Sequence, residues 1–122
     1  MKFYVCKICG NVFELIDGDA SRTKCCNNTI TLLEANTVDA SLEKHVPVYE
    51  VKDNEIEVKV GSIIHPMEEK HYIMWIALVK NNRIIRVNLK PGDEPIARFK
   101  YEKGSTIYAY CNLHGLWKSD VK

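Results

Sequence analysis

Tyr72-Ile73-Met74-Trp75-Ile76-Ala77-Leu78-Val79-Lys80-Asn81-Asn82 is the stretch on which the fold turns. Ile73, Trp75, Ala77 and Val79 recur with period two, the spacing that puts side chains on one face of a strand. Asn81-Asn82 follows at once, and asparagine accepts the left-handed backbone that a two-residue type I′ hairpin demands. The same alternation appears upstream at Ile56, Val58 and Val60. It appears again downstream at Thr106, Tyr108 and Tyr110, with Ile107 and Ala109 facing the other way. Asp53-Asn54, Pro91-Gly92-Asp93 and Lys103-Gly104-Ser105 separate the runs, each with a tight-turn composition. Roughly seven short strands with short connections and no amphipathic helix predict an antiparallel β-sandwich of immunoglobulin-like kind.

That sandwich does not use the whole chain of 122 residues. Before about residue 36 the apolar pattern is too sparse for a core, and a segment this small needs a staple. Phe3-Tyr4-Val5-Cys6-Lys7-Ile8-Cys9-Gly10-Asn11-Val12-Phe13 reads as two short strands around a cysteine knuckle, with Gly10 free to take a positive φ. Lys and Arg number 17 against 16 Asp and Glu, so no basic field invites nucleic acid or an anionic membrane. Nothing is apolar enough over sufficient length to span a bilayer or serve as an export signal, and a cytoplasmic protein is expected.

There are five cysteines. An odd number in a chain without an export signal argues against a disulfide framework. Cys6 and Cys9, then Cys25 and Cys26 after fifteen intervening residues, supply the four thiolates of a tetrahedral site; zinc and iron both accept such a set. The adjacent pair Cys25-Cys26 is unusual, because neighbouring side chains diverge. Cys111 stands apart, in the turn Cys111-Asn112-Leu113-His114-Gly115, whose backbone amides are expected to face the sulfur. The four histidines are His45, His65, His71 and His114. Four imidazoles and one thiolate would leave one position of an octahedral metal open, which a structural site would close.

Four separated motifs carry a resemblance. Cys6-Lys7-Ile8-Cys9-Gly10 with Cys25-Cys26, then Glu43-Lys44-His45-Val46-Pro47, then the run from His65 to Ile76 (HPMEEKHYIMWI), then that from Tyr110 to Lys118 (YCNLHGLWK) resemble, in order and spacing, the desulfoferrodoxin family of two-iron superoxide reductases. Met74 departs from it, standing where such proteins often carry an acidic residue. The resemblance implies a mainly β protein: a desulforedoxin-like domain over residues 1–36 holding Fe(Cys)4 through Cys6, Cys9, Cys25 and Cys26, then an immunoglobulin-like domain over residues 37–122. The second domain would hold iron with His45, His65, His71 and His114 around its base and Cys111 axial.

The implied reaction is one-electron reduction of superoxide to hydrogen peroxide at ferrous iron with an open sixth position. The electron would come from an external donor such as a rubredoxin. Lys44 matches a lysine that attracts the anion, Glu43 a glutamate that ligates the oxidised iron, and a homodimer is expected. The residues alone leave other readings: a rubredoxin-like electron carrier fused to an unrelated sandwich, or a zinc-binding module.

Overall fold

The computed structural model describes residues 2–122, and the chain divides into two compact units that meet between Glu34 and Ala35. In the first, β1 (Lys2–Val5) pairs antiparallel with β2 (Val12–Leu15) across the cysteine knuckle. Gly10 closes that turn with φ 81°, its N–H donating to the Cys6 carbonyl at 2.8 Å. A 3-10 turn (Ala20–Arg22) is capped by Asp19, whose carboxylate accepts from Ser21 N at 2.9 Å. β3 (Lys24–Cys25) and β4 (Asn28–Thr29) form a small hairpin, and β5 (Thr31–Leu32) adds to the free side of β1. The buried cluster is small: Tyr4, Ala20 and Ile30, with Phe13, Leu15 and Cys25 partly covered against it. So few buried groups cannot offset the ordering entropy of this many residues, and the unit depends on a cross-link.

The second unit opens with a one-turn helix, α1 (Leu42–His45), closed by Val46 N donating to the Leu42 carbonyl at 2.9 Å. Seven strands follow among the described residues: β6 (Pro47–Lys52), β7 (Glu55–Val60), β8 (Ile73–Lys80), β9 (Arg83–Asn88), β10 (Ile96–Lys100), β11 (Thr106–Cys111) and β12 (Gly115–Asp120). They form a three-stranded sheet, β10-β7-β6, and a four-stranded sheet, β12-β11-β8-β9. The turns expected at Asp53-Asn54 and Asn81-Asn82 join β6 to β7 and β8 to β9, with Asp53 and Asn81 at φ 56° and 54°. Ile56, Val58 and Val60 of β7 and Ala97 and Phe99 of β10 interlock with Ile73, Ile76 and Leu78 of β8 and with Ile107, Ala109 and Cys111 of β11. This is the core of a β-sandwich. No helix among the described residues is long and apolar enough to cross a membrane.

One strand departs from its expected face pattern. Ile73 shares the inner face with Ile76 and Leu78, not with Trp75 and Val79. The pairing of β11 with β8 shifts between Tyr110, opposite Trp75, and Cys111, opposite Ile73, so Met74 is an extra residue in a β-bulge. The bulge reverses the alternation at the end of β8, just after His71. Trp75 and Tyr110 stack on the outer face, ring centroids 5.8 Å apart and planes 9° from parallel.

Candidate metal centres

The four N-terminal cysteines offer sulfurs that all lie within 4.8 Å of one another. The Cys9 and Cys25 sulfurs are 3.6 Å apart and those of Cys25 and Cys26 4.0 Å. No disulfide joins them, and these separations suit four thiolates sharing an ion at about 2.3 Å. The adjacent pair converges because Cys26 and Asn27 both take left-handed backbone, φ 53° and 63°, in the two-residue turn of the β3–β4 hairpin. That reversal brings consecutive side chains, which diverge in an extended chain, to one point. Within the knuckle, the Cys9 and Ile8 backbone amides bring the Cys6 thiol down to about 7. Cys25 is pushed up to about 12 by sharing protons with the Cys9 and Cys6 thiols. Thiols this close compete for protons, and a bound cation relieves the competition by stabilising all four as thiolates.

In the second unit, four histidines from three stretches of chain form a closed circuit. Ring centroids are 4.7 Å apart for His45–His65, 4.6 Å for His65–His71, 5.0 Å for His71–His114 and 4.8 Å for His114–His45. The diagonal His45–His71 is 6.3 Å. This is a square of imidazoles. The facing ring nitrogens of His45, His71 and His114 and the sulfur of Cys111 all lie within 4.8 Å of one another. His65 joins through its ring contacts with His45 and His71.

Local structure decides which nitrogen each ring presents. His45 sits in α1, where Nδ1 lies 2.6 Å from the Ser41 carbonyl; a carbonyl only accepts, so Nδ1 carries the proton and Nε2 faces His114 Nδ1 at 3.1 Å. His65 likewise gives its Nδ1 proton to the Pro66 carbonyl at 2.7 Å. Nε2 of His65 and Nε2 of His71 are both buried without a hydrogen-bond partner. Cys111 Sγ is fully buried, 3.9 Å from His114 Nδ1. Trp117 backs the site: its indole stacks on His45 at 4.9 Å and donates to the His114 carbonyl at 3.1 Å.

Electrostatics reinforce the geometry. Burial brings His65 down to about 4, and it also lowers His45 and His71, with the neighbouring imidazoles adding to the effect. Burial raises the Cys111 thiol, opposed by the backbone amides of Leu113 and His114, which aim at the sulfur as the turn spacing predicts. Neutral imidazoles with lone pairs turned inward are expensive to bury unpaired. A cation of borderline softness suits such imidazole nitrogens together with the Cys111 sulfur.

The family is decided by comparison over this same stretch: residues 37–120 match the family model described as Desulfoferrodoxin. The chain belongs to the desulfoferrodoxin family. It is 50% identical to the desulfoferrodoxin of Syntrophotalea carbinolica over 98% of this chain and 96% of that one. The crystal structure of the superoxide reductase from Treponema pallidum superposes with a TM-score of 0.75 at 32% identity, covering 98% of both chains. The superoxide reductase (1Fe-SOR) from Giardia intestinalis matches 63% of this chain and 95% of its own length, at 35% identity and a TM-score of 0.53.

Lys44 is exposed on α1, near enough to His45 and His71 that its charge lowers both. The Glu43 side chain is also exposed, its carboxylate 3.5 Å from the Ser41 hydroxyl and outside the imidazole group. Residue types alone did not point to Ser41 or Pro66, which act through their main-chain carbonyls, for which the sequence carries no donor signature.

Proposed function

We propose that the chain reduces superoxide to hydrogen peroxide, with iron held by His45, His65, His71, His114 and Cys111 and a further iron held by Cys6, Cys9, Cys25 and Cys26. The carrying observation is the closed square of imidazoles, two of whose buried Nε2 atoms have no partner, beside one buried thiol. The names of the Treponema and Giardia relatives support the same activity. At the tetrathiolate site zinc is the alternative ion.

Iron held by these residues would supply one-electron chemistry, with the electron coming from an external donor for which a rubredoxin-like carrier is proposed. The chain's own residues do the rest. Ser41 and Pro66 carbonyls fix the tautomers of His45 and His65, so their Nε2 lone pairs stay available. The Leu113 and His114 amides moderate the charge on the Cys111 sulfur and so how strongly it donates. Lys44 draws the anion toward the site. Glu43 would supply a carboxylate to the iron in its oxidised form. A cytoplasmic homodimer belongs to the proposal, since five unpaired cysteines suit a reducing compartment.

Iron content and electron paramagnetic resonance of the purified protein test the reading. Two irons per chain with separable signals, and superoxide consumption without dioxygen release, are expected. One iron per chain would leave an electron carrier, and zinc alone a structural module. Lys44→Ala should slow the second-order reaction with superoxide and flatten its salt dependence. Glu43→Ala should alter the absorption change on oxidation; identical spectra would remove Glu43 from the site.

A further inference from the structure

His45 and His65 are oriented by hydrogen bonds from their own rings to main-chain carbonyls. His71 has no such tether: Nε2 is buried and unpartnered, and no hydrogen bond from its ring is found among the described residues. Its place in the square therefore depends on its main chain. Two of the four polar main-chain groups around it, His71 N and His71 O, are exchanged with Glu68 at 3.0 Å each, inside the same loop. Those bonds shape the loop without connecting it to the other ligands.

The remaining two groups are taken by one side chain. Asn112 Oδ1 accepts from Tyr72 N at 3.0 Å, and Asn112 Nδ2 donates to the Lys70 carbonyl at 3.0 Å. The Asn112 backbone N–H adds a third bond, to the Tyr72 carbonyl at 3.2 Å. Asn112 lies between Cys111 and His114, so its amide spans the residues on either side of His71 and ties them to the turn that carries sulfur and imidazole. An asparagine amide has one acceptor and two donors, and here it completes two bonds that a sheet neighbour would otherwise make. The β-bulge at Met74 ends regular pairing of β8 with β11 just before this point. The side chain continues the connection where the backbone ladder stops.

We propose that Asn112 is the positioning residue for His71, holding the His65–His71 loop in register with the Cys111–His114 turn so that His71 completes the metal-binding square. This rests on the reading of the site given above. Asn112 touches neither metal nor substrate; it acts on His71 through the Lys70 and Tyr72 main chain. Partners that orient a ligand in this way typically change metal affinity by about 10- to 100-fold when removed.

The test uses full-length, iron-loaded protein. Asn112→Ala removes both amide bonds, while Asn112→Asp keeps the acceptor for Tyr72 N–H and loses the donor to Lys70. Iron release from each site to a chelator is followed by its own absorption and paramagnetic signal, and metal-free samples are melted alongside. Asn112→Ala should release the histidine-bound iron at about 10- to 100-fold lower chelator concentration, with altered absorption, while the tetrathiolate signal is unchanged. Asn112→Asp should fall between it and the wild type, and it carries the test if the alanine protein does not fold. Unchanged affinity and absorption in the variants would overturn the inference, even if metal-free melting fell. A wild-type chain holding iron only at its thiolates would overturn the underlying reading, and this inference with it.

Discussion

Gly61 follows β7, and the space beside it is closed by main chain. A Cβ placed there would sit 2.6 Å from the Glu43 carbonyl oxygen, 2.9 Å from the Lys44 carbonyl carbon and 3.0 Å from the Val46 oxygen. Carbon and oxygen rest in ordinary contact near 3.4 Å, so Gly61→Ala must push the α1 segment away by up to about 0.8 Å. The segment cannot yield freely, because the Glu43 carbonyl accepts from Ile63 N at 2.9 Å and from the Ser62 hydroxyl at 3.2 Å, both in the loop that begins at Gly61. Overpacking of this kind costs about 1–3 kcal/mol, and weakening a hydrogen bond adds about 1 kcal/mol. A loss of roughly 2–4 kcal/mol should lower the melting temperature of the second unit by about 10–30 °C. Lys44 and His45 ride on the displaced segment, so the histidine-bound iron should also be released more readily while the tetrathiolate signal stays put. Differential scanning calorimetry of the metal-free protein and chelator competition of the loaded one read the two effects. Melting within about 2 °C of the wild type, with both iron signals unaltered, would refute the reasoning.

Trp117→Phe should destabilise the second unit by about 1–3 kcal/mol, since it strands the His114 carbonyl and shrinks the ring packed on His45; an unmoved urea midpoint in metal-free protein would contradict this. The metal-free second unit should also lose stability on acidification earlier than carboxylate titration explains. His65 is lowered from 6.5 to about 4, and His45 and His71 are lowered too, so between those values the unfolded chain binds more protons than the folded one. Stability from this source is whole above about pH 6.5 and falls as pH drops toward 4; urea midpoints that stay flat between pH 7 and 4.5 would show otherwise. Stripping the ion from Cys6, Cys9, Cys25 and Cys26 should unfold the first unit alone, because Tyr4, Ala20 and Ile30 are its buried cluster. Amide exchange should then quicken up to Glu34 and stay slow in β7, β8 and β11; persistent protection in β1 would speak against it.

What could be read from residues, and what could not, follows from where each piece of information resides. Alternation along β11 assigned its faces correctly because that strand is regular, with Ile107 and Ala109 inward and Tyr108 and Tyr110 outward. The same rule misplaced residues in β8, where both faces are buried and hydrophobicity no longer marks the inner one; Ile76 and Leu78 are core residues. The bulge at Met74 compounds this, since one extra residue inverts the alternation and leaves no trace in composition. α1 escaped notice within a polar stretch because a single turn is too short to show a period.

The ligand types were legible for a chemical reason: few side chains bind a soft or borderline cation, and every histidine and cysteine of this chain stands in a short motif. Their supports were not legible. Asn112 reaches Lys70 and Tyr72 across some 40 positions with its side-chain amide, and Gly61 matters for the carbonyls it lets approach, so both work upon generic main-chain atoms of remote residues. A donor advertises itself by its element, but the group that holds the donor in place needs only the right distance, and distance between remote segments is what folding supplies. The residues around this site that most repay mutation are therefore those whose side chains look least like chemistry.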